Sequence, residues 1–165
     1  MIGGSALLAL GLISRSTQDV DVVALADNAG LYEALPLPTP LADARARVAR
    51  DFDLPEDWLN SEAAADMLRL GFPEGFRERL TRRDYGPSLT VQYASRLDQI
   101  HFKLHAAVDR GGGKHFADLQ TLEPNKPELL TAARWARTHD PSEGFLGVLT
   151  EVLAYFKIED AALGA

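Results

Sequence analysis

The sequence predicts an α+β domain: a small mixed β-sheet flanked by helices, then a helical C-terminal half. Three observations lead there. "DVDVVAL" at 19–25 is a valine-rich run of strand composition. "GFRERLTRRDYGPSLTVQYAS" reads as two strands, 76–83 and 88–94, around a Gly-Pro turn. Beyond residue 95 apolar residues recur at helical spacing behind helix-start residues. The layout expected is one domain over 1–165, with a sheet-containing core over 1–95 and a helical part over 96–165.

Each element has its own justification. Residues 5–13 predict a short helix, with Ser5 near its N-terminus and Leu7, Leu8 and Leu12 as its apolar stripe. "ALPLPTP" is a connection, because three prolines cannot join a ladder or a helix interior. Thr39 followed by Pro40 reads as an N-cap with proline at the first helical position, opening a helix to about Asp51. A further helix is expected from about Ser61, closed by Gly71. Ser95 caps a helix over 96–110 with Leu97, Ile100, Leu104, Ala107 and Val108 on one face. "GGG" at 111–113 ends it, and "KHFADLQTL" is a short helix stopping before Pro124. Two helices close the chain, 127–138 and 141–156. Asp140, Pro141 and Glu143 read as the start of the last, and Phe145, Leu146, Leu149, Val152, Leu153 and Phe156 as its core face.

Composition narrows the function classes. An apolar content of 46% over 165 residues is enough for a buried core. With no cysteine there is neither a disulfide nor a thiolate metal site, which fits a reducing, cytoplasmic setting. No stretch approaches the ~20 apolar residues of a membrane span, so no membrane partner is expected. The formal charge of −7 excludes a uniformly basic nucleic-acid footprint.

The chemistry concentrates in "GGSALLALGLISRSTQDVDVV". On a strand Asp19 and Asp21 share a face, because side chains alternate. Two neighbouring carboxylates repel, and burying either alone is costly. A divalent cation resolves both problems, and magnesium takes oxygen ligands together with substrate phosphates. Upstream, glycine lets backbone approach a phosphate, amides at a helix N-terminus favour anions, and Ser5 adds a hydroxyl.

The ordered set of Gly-Ser turn, short helix and Asp-x-Asp strand resembles the polymerase-beta-type nucleotidyltransferase superfamily. "RSTQDVDVV", "DWLN" at 57–60, the pattern at 76–94 and "KLHAAVDR…KHFADLQTL" at 103–122 resemble its small bacterial branch near the AbiEii-type toxins of type IV toxin–antitoxin systems. The resemblance implies a nucleotidyltransferase-like fold and transfer of a nucleotidyl group from a nucleoside triphosphate, with Mg2+ or Mn2+ as cofactor. It implies an RNA or protein acceptor and an antitoxin partner. Gly4 and Ser5, with Arg15 and Thr17, match its nucleotide-binding turn, and Asp19 and Asp21 its metal pair. Lys103 matches a lysine said to contact phosphate, and Asp118 the acid of the closing block, whose earlier aspartate is His115 here. Active members carry a third metal carboxylate on a later strand. Strand 88–94 has no acid, which leaves Glu78 and Asp84 as substitutes and a catalytically inactive nucleotide-binding or interaction module as the alternative reading.

Other residues have plainer readings. Lys103, beside the apolar stripe of its helix, can snorkel to water. His101, His105 and His115 are expected at the surface or in hydrogen bonds rather than on zinc. Arg77, Arg79, Arg82 and Arg83 read as a charged edge strand, with Arg77 and Arg79 on one face, or as a docking surface for a phosphate-bearing acceptor. "GGGK" lacks the context of a phosphate loop.

Overall fold

Helix α1 (Gly3–Ala9) begins earlier than its apolar pattern, in a computed structural model that describes residues 1–62, 64–111 and 113–158. Ser5 is therefore inside the helix and does not cap it. Leu7 is buried but Leu8 is 42% exposed, so the stripe expected over Leu7, Leu8 and Leu12 does not form. The helix stops where Gly11 takes a left-handed conformation (φ +72°).

The chain divides into two compact units, one of Met1–Phe72 with Leu80–Ala94, the other of Pro73–Arg79 with the chain from Ser95. It is mixed α+β and about half helical, with seven α-helices among the described residues.

In the first unit the valine-rich run is two strands rather than one, β1 (Val20–Asp21) and β2 (Leu25–Ala26). The reason is a change of partner. β2 turns back onto β3 (Leu31–Tyr32) through a tight turn in which the Asp27 carboxylate accepts from the amides of Ala29 (2.8 Å) and Gly30 (2.9 Å). β1 instead pairs in parallel with β4 (Leu59–Asn60), Val20 opposite Leu59 and Asp21 opposite Asn60. Between them in sequence lies α2 (Thr39–Phe52). Thr39 is already helical and makes no cap bond, so the expected N-cap moves to Pro38. α2 ends at Asp53, held left-handed (φ 52°, ψ 45°). Helix α3 (Ala64–Leu70) starts later than Ser61, which is itself buried, and Gly71 (φ +96°) closes it as expected. Ala63 of that expected helix and Gly112 of the glycine run lie outside the described residues.

The hairpin is β5 (Thr81–Tyr85) and β6 (Leu89–Tyr93), antiparallel. It starts later than the expected 76, because Arg77–Arg79 form a 3₁₀ turn belonging to the other unit. The two-residue lead-in ties the ladders together. Ile2 N–H donates to the Asp21 carbonyl (3.0 Å), Ala94 N–H to the Met1 carbonyl (3.0 Å), and the Met1 amino group to the Gln92 carbonyl (2.9 Å). The lead-in thus lies between β1 and β6.

The second unit is built on α4 (Arg96–Asp109), which packs against α5 (Gly113–Thr121), α6 (Lys126–His139) and α7 (Glu143–Tyr155). Asp98 to Leu104 are all buried, so α4 has a core-facing surround rather than the single stripe its periodicity predicts. Ser95 caps it in a reciprocal capping box with Asp98, as the sequence leads one to expect. Asn125 and Glu128 repeat the device at α6. α7 differs from expectation: Ser142 is its N-cap, accepting from the Phe145 amide (3.2 Å), while Asp140 accepts from the Ser142 amide (2.8 Å).

Asp98 also explains the 3₁₀ turn. Its carboxylate is fully buried, and Arg79 Nη2 reaches it at 2.5 Å while Arg79 Nε donates at 3.2 Å. Phe76 packs edge-on against Phe102 with ring centroids 5.9 Å apart. These contacts hold 76–79 out of the hairpin, so Arg77 and Arg79 do not share a strand face. Removing one partner of a buried ion pair costs about 3–5 kcal/mol, and the cap is lost with it. Asp98→Ala should therefore lower the unfolding free energy in urea by about 3 kcal/mol.

Candidate functional site

In the first unit the structure brings Gly3, Gly4, Ser5, Arg15, Thr17, Asp19 and Asp21 together. Gly3 and Gly4 are buried, and both are glycine for steric reasons. Gly3 has φ +81°, and a Cβ there would collide with the Asp21 carboxylate. A Cβ on Gly4 would lie 2.7 Å from Thr17 Cγ2 and 3.3 Å from Arg15 Nη2. The close approach expected of this turn is thus made by side chains of its own unit. Ser5 Oγ shares a hydrogen bond with Thr17 Oγ1 (2.7 Å) and donates to the Asp19 carbonyl. Arg15 donates to the Ser16 carbonyl (3.2 Å) at the exposed edge.

The two aspartates have different settings. Asp21 Oδ1 accepts from Asn60 Nδ2 (3.3 Å), across the β1–β4 register. Asp19 precedes the strand and lines a cavity of about 480 Å³ with Ser5, Thr17, Asp53 and Trp58. The Trp58 indole N–H donates to the Arg45 carbonyl (3.1 Å), which fixes its ring against α2. Asn60, Trp58 and Asp53 are the residues sequence reasoning passed over. Their signals were the "DWLN" block and the helix interruption at Pro55.

For a divalent cation the donor chemistry is suitable: two carboxylates, with the hydroxyls of Ser5 and Thr17 nearby. Among the described residues no group of three acidic or imidazole side chains could hold a metal. Magnesium in proteins is usually bound through one or two carboxylates and completed by water and substrate phosphates, and Asp19 and Asp21 are donors of that kind. Of the substitute acids, Asp84 is occupied on the exposed hairpin, where Arg82 Nη2 (2.9 Å) and Thr90 Oγ1 (2.5 Å) donate to it and hold its pKa below the usual range. Glu78 lies in the 3₁₀ turn of the second unit.

In the second unit Lys103 and Asp118 meet. Nζ lies 2.7 Å from Oδ2, with Lys103 4% and Asp118 2% exposed. Lys103 does not snorkel to water, because the carboxylate that neutralises it is inside. Of the three histidines, His101 is hydrogen-bonded, as expected, and His105 and His115 are half-buried. His101 is buried, with Nδ1 against the Leu97 carbonyl (2.8 Å) and its ring edge-on to Trp135. His105 packs among Trp135, His139 and Phe145. Burial lowers the pKa of both. His115 has a buried Nδ1 without a hydrogen-bond partner, and burial followed by the charges of Lys103, Lys114 and Arg110 lowers its pKa to about 4.

The chain matches no family model, no curated protein and no solved structure. The residues therefore carry the functional reading.

Breaking the Lys103–Asp118 pair leaves a buried charge, so Lys103→Met or Asp118→Leu alone should cost about 3–5 kcal/mol. The double variant should recover most of it, as a double-mutant cycle in urea would show. For pH, the unfolded His115 takes its proton near 6.5 and the folded one only near 4. The unfolded state binds more protons in that window, so stability falls as pH drops from about 6.5 towards 4. His101 and His105 act in the same direction. Thermal melts should show a lower midpoint at pH 5 than at pH 7.5, with a shallower decline in His115→Gln.

Proposed function

We propose that the first unit is a nucleotidyltransferase-like centre that moves a nucleotidyl group from a nucleoside triphosphate to an acceptor hydroxyl. The observation that carries this reading is the convergence of the Gly-Gly-Ser turn, Thr17, Asp19 and Asp21 at one end of α1, beside a cavity that Asp19 lines. Asp19 and Asp21 would hold magnesium or manganese. Bound there, the cation would lower the cost of activating the attacking oxygen and of the charge on the leaving pyrophosphate. Ser5 and Thr17 keep the turn seated on the Asp19 backbone. Asn60 holds Asp21 in one orientation. The acceptor hydroxyl gives up its proton to solvent, its oxygen bonds to the α-phosphorus, the bond from that phosphorus to the bridging β-phosphate oxygen breaks, and pyrophosphate leaves.

An RNA or protein acceptor, a toxin-like action, an antitoxin partner and a cytoplasmic setting belong to the same proposal, whereas Lys103 and Asp118, buried against each other, are given no phosphate contact in it. No helix among the described residues is long and apolar enough to cross a membrane.

Incorporation of labelled nucleotide into candidate RNA and protein acceptors tests the reading. Asp19→Ala and Asp21→Asn should each reduce magnesium-dependent incorporation by a hundredfold or more, roughly the effect of losing one charged group at a reacting phosphate. Their melting curves should stay cooperative. Incorporation that persists in both variants overturns the assignment. Nucleotide binding without turnover would instead favour a non-catalytic module.

A further inference from the structure

The outer strand of the hairpin is open along one edge. All five residues of β5 are exposed, and among the described residues β5 pairs with β6 alone. A two-stranded ribbon is marginal in water, and an open edge accepts a further strand. Charge on an edge strand ordinarily prevents such pairing, because like meets like. The order of charges in β5 does the opposite. The strand reads Thr-Arg-Arg-Asp-Tyr, with Arg83 at its centre. Laid antiparallel against a copy of itself about Arg83, it sets Arg82 opposite Asp84 and Thr81 opposite Tyr85, each of them twice.

The side chains hold matching spare groups. Arg82 donates from Nε (3.1 Å) and Nη2 (2.9 Å), and both bonds go to Asp84 Oδ1. Thr90 Oγ1 donates to that same oxygen (2.5 Å). Arg82 Nη1 and Asp84 Oδ2 are thus left for another partner, on side chains that are 66% and 57% exposed. The like charge at the centre points elsewhere. The Arg83 guanidinium lies over the Tyr93 ring, 5.6 Å from its centroid, and Tyr93 is on β6, away from the open edge.

We propose that β5 is a dimer interface, at which a second copy of this chain joins edge to edge about Arg83 to make a four-stranded sheet. The contact is isologous: Arg82 of each copy meets Asp84 of the other, and the set closes at two copies. On the opposite face Tyr85, 48% exposed, covers the second copy's Thr81. Five residues a side make a small interface, so the dimer forms reversibly in the micromolar range. Dimerisation of this kind is independent of the nucleotide chemistry proposed for the first unit.

Sedimentation equilibrium of the full chain from about 5 to about 500 μM tests this. The weight-average mass should rise from one copy towards two. Arg82→Glu and Asp84→Arg should each stay monomeric, with cooperative melting. An equimolar mixture of these two variants should dimerise again, because the acidic pair of one then faces the basic pair of the other. The chain has no cysteine, so Arg83→Cys puts a single thiol on the two-fold axis. Directly opposed strand residues have Cα atoms about 4.5–5.5 Å apart, within disulfide reach. This variant should oxidise to a covalent dimer roughly tenfold or more faster than Thr90→Cys, at an exposed position on β6. A wild-type monomer across that range, a dimer that survives Arg82→Glu, a mixture that stays monomeric, or equal oxidation rates each overturn the interface. A monomer that binds single-stranded RNA through Arg82 and Arg83 overturns it in favour of a docking surface for a phosphate-bearing acceptor.

Discussion

Everything in the first unit depends on hydrogen bonding along both edges of a two-residue strand. On one side Val20 N–H donates to the Trp58 carbonyl (2.6 Å) and Val22 N–H to the Asn60 carbonyl (2.9 Å). On the other the Asp21 carbonyl accepts from Ile2. A strand this short has little pairing energy of its own and is held by neighbours on both sides. That arrangement sets Asp21 against Gly3 and Asn60, and leaves Asp19, one residue before the ladder, at the cavity wall. The two carboxylates differ in setting because only one of them belongs to the strand.

The second unit is organised by buried charge. α4 carries Asp98, His101 and Lys103 into a core that includes Ile100, Phe102, Leu104, Leu119, Leu149 and alanines of α6. Each has an internal partner: Arg79 and Ser95 for Asp98, the Leu97 carbonyl for His101, Asp118 for Lys103. Buried ion pairs return little net stability against their desolvation, but leaving one half unpaired is expensive. Such pairs select one helix arrangement more than they stabilise it: α5 must present Asp118 at the depth of Lys103.

What could be read from the sequence was whatever local chemistry dictates. Ser95 with Asp98, and Gly71, act as helix signals because their partners lie within a turn. Where a distant partner decides, the reading failed. Arg77–Arg79 have strand-like neighbours, but Asp98, nineteen residues beyond Arg79, claims the guanidinium. Asp140 resembles a cap, yet Ser142 is nearer the first helical amide it must satisfy. At the candidate site Gly4, Ser5, Thr17, Asp19 and Asp21 were legible together because one contiguous stretch carries them. Asp53, Trp58 and Asn60 join them only through the α2 connection and the parallel β1–β4 register, which a linear pattern does not reveal.

The segment Pro73–Arg79 has a consequence for how this protein can be divided. It belongs with the helices, although sheet-containing chain precedes and follows it. The backbone therefore passes from one unit to the other three times, after Phe72, after Arg79 and after Ala94. No single break yields two whole units. A fragment starting at Ser95 would lack Phe76 and the guanidinium that neutralises Asp98, so its central helix would carry a carboxylate without its counter-charge into the core. The helical half is thus not a detachable cassette that a single cut could move onto another protein.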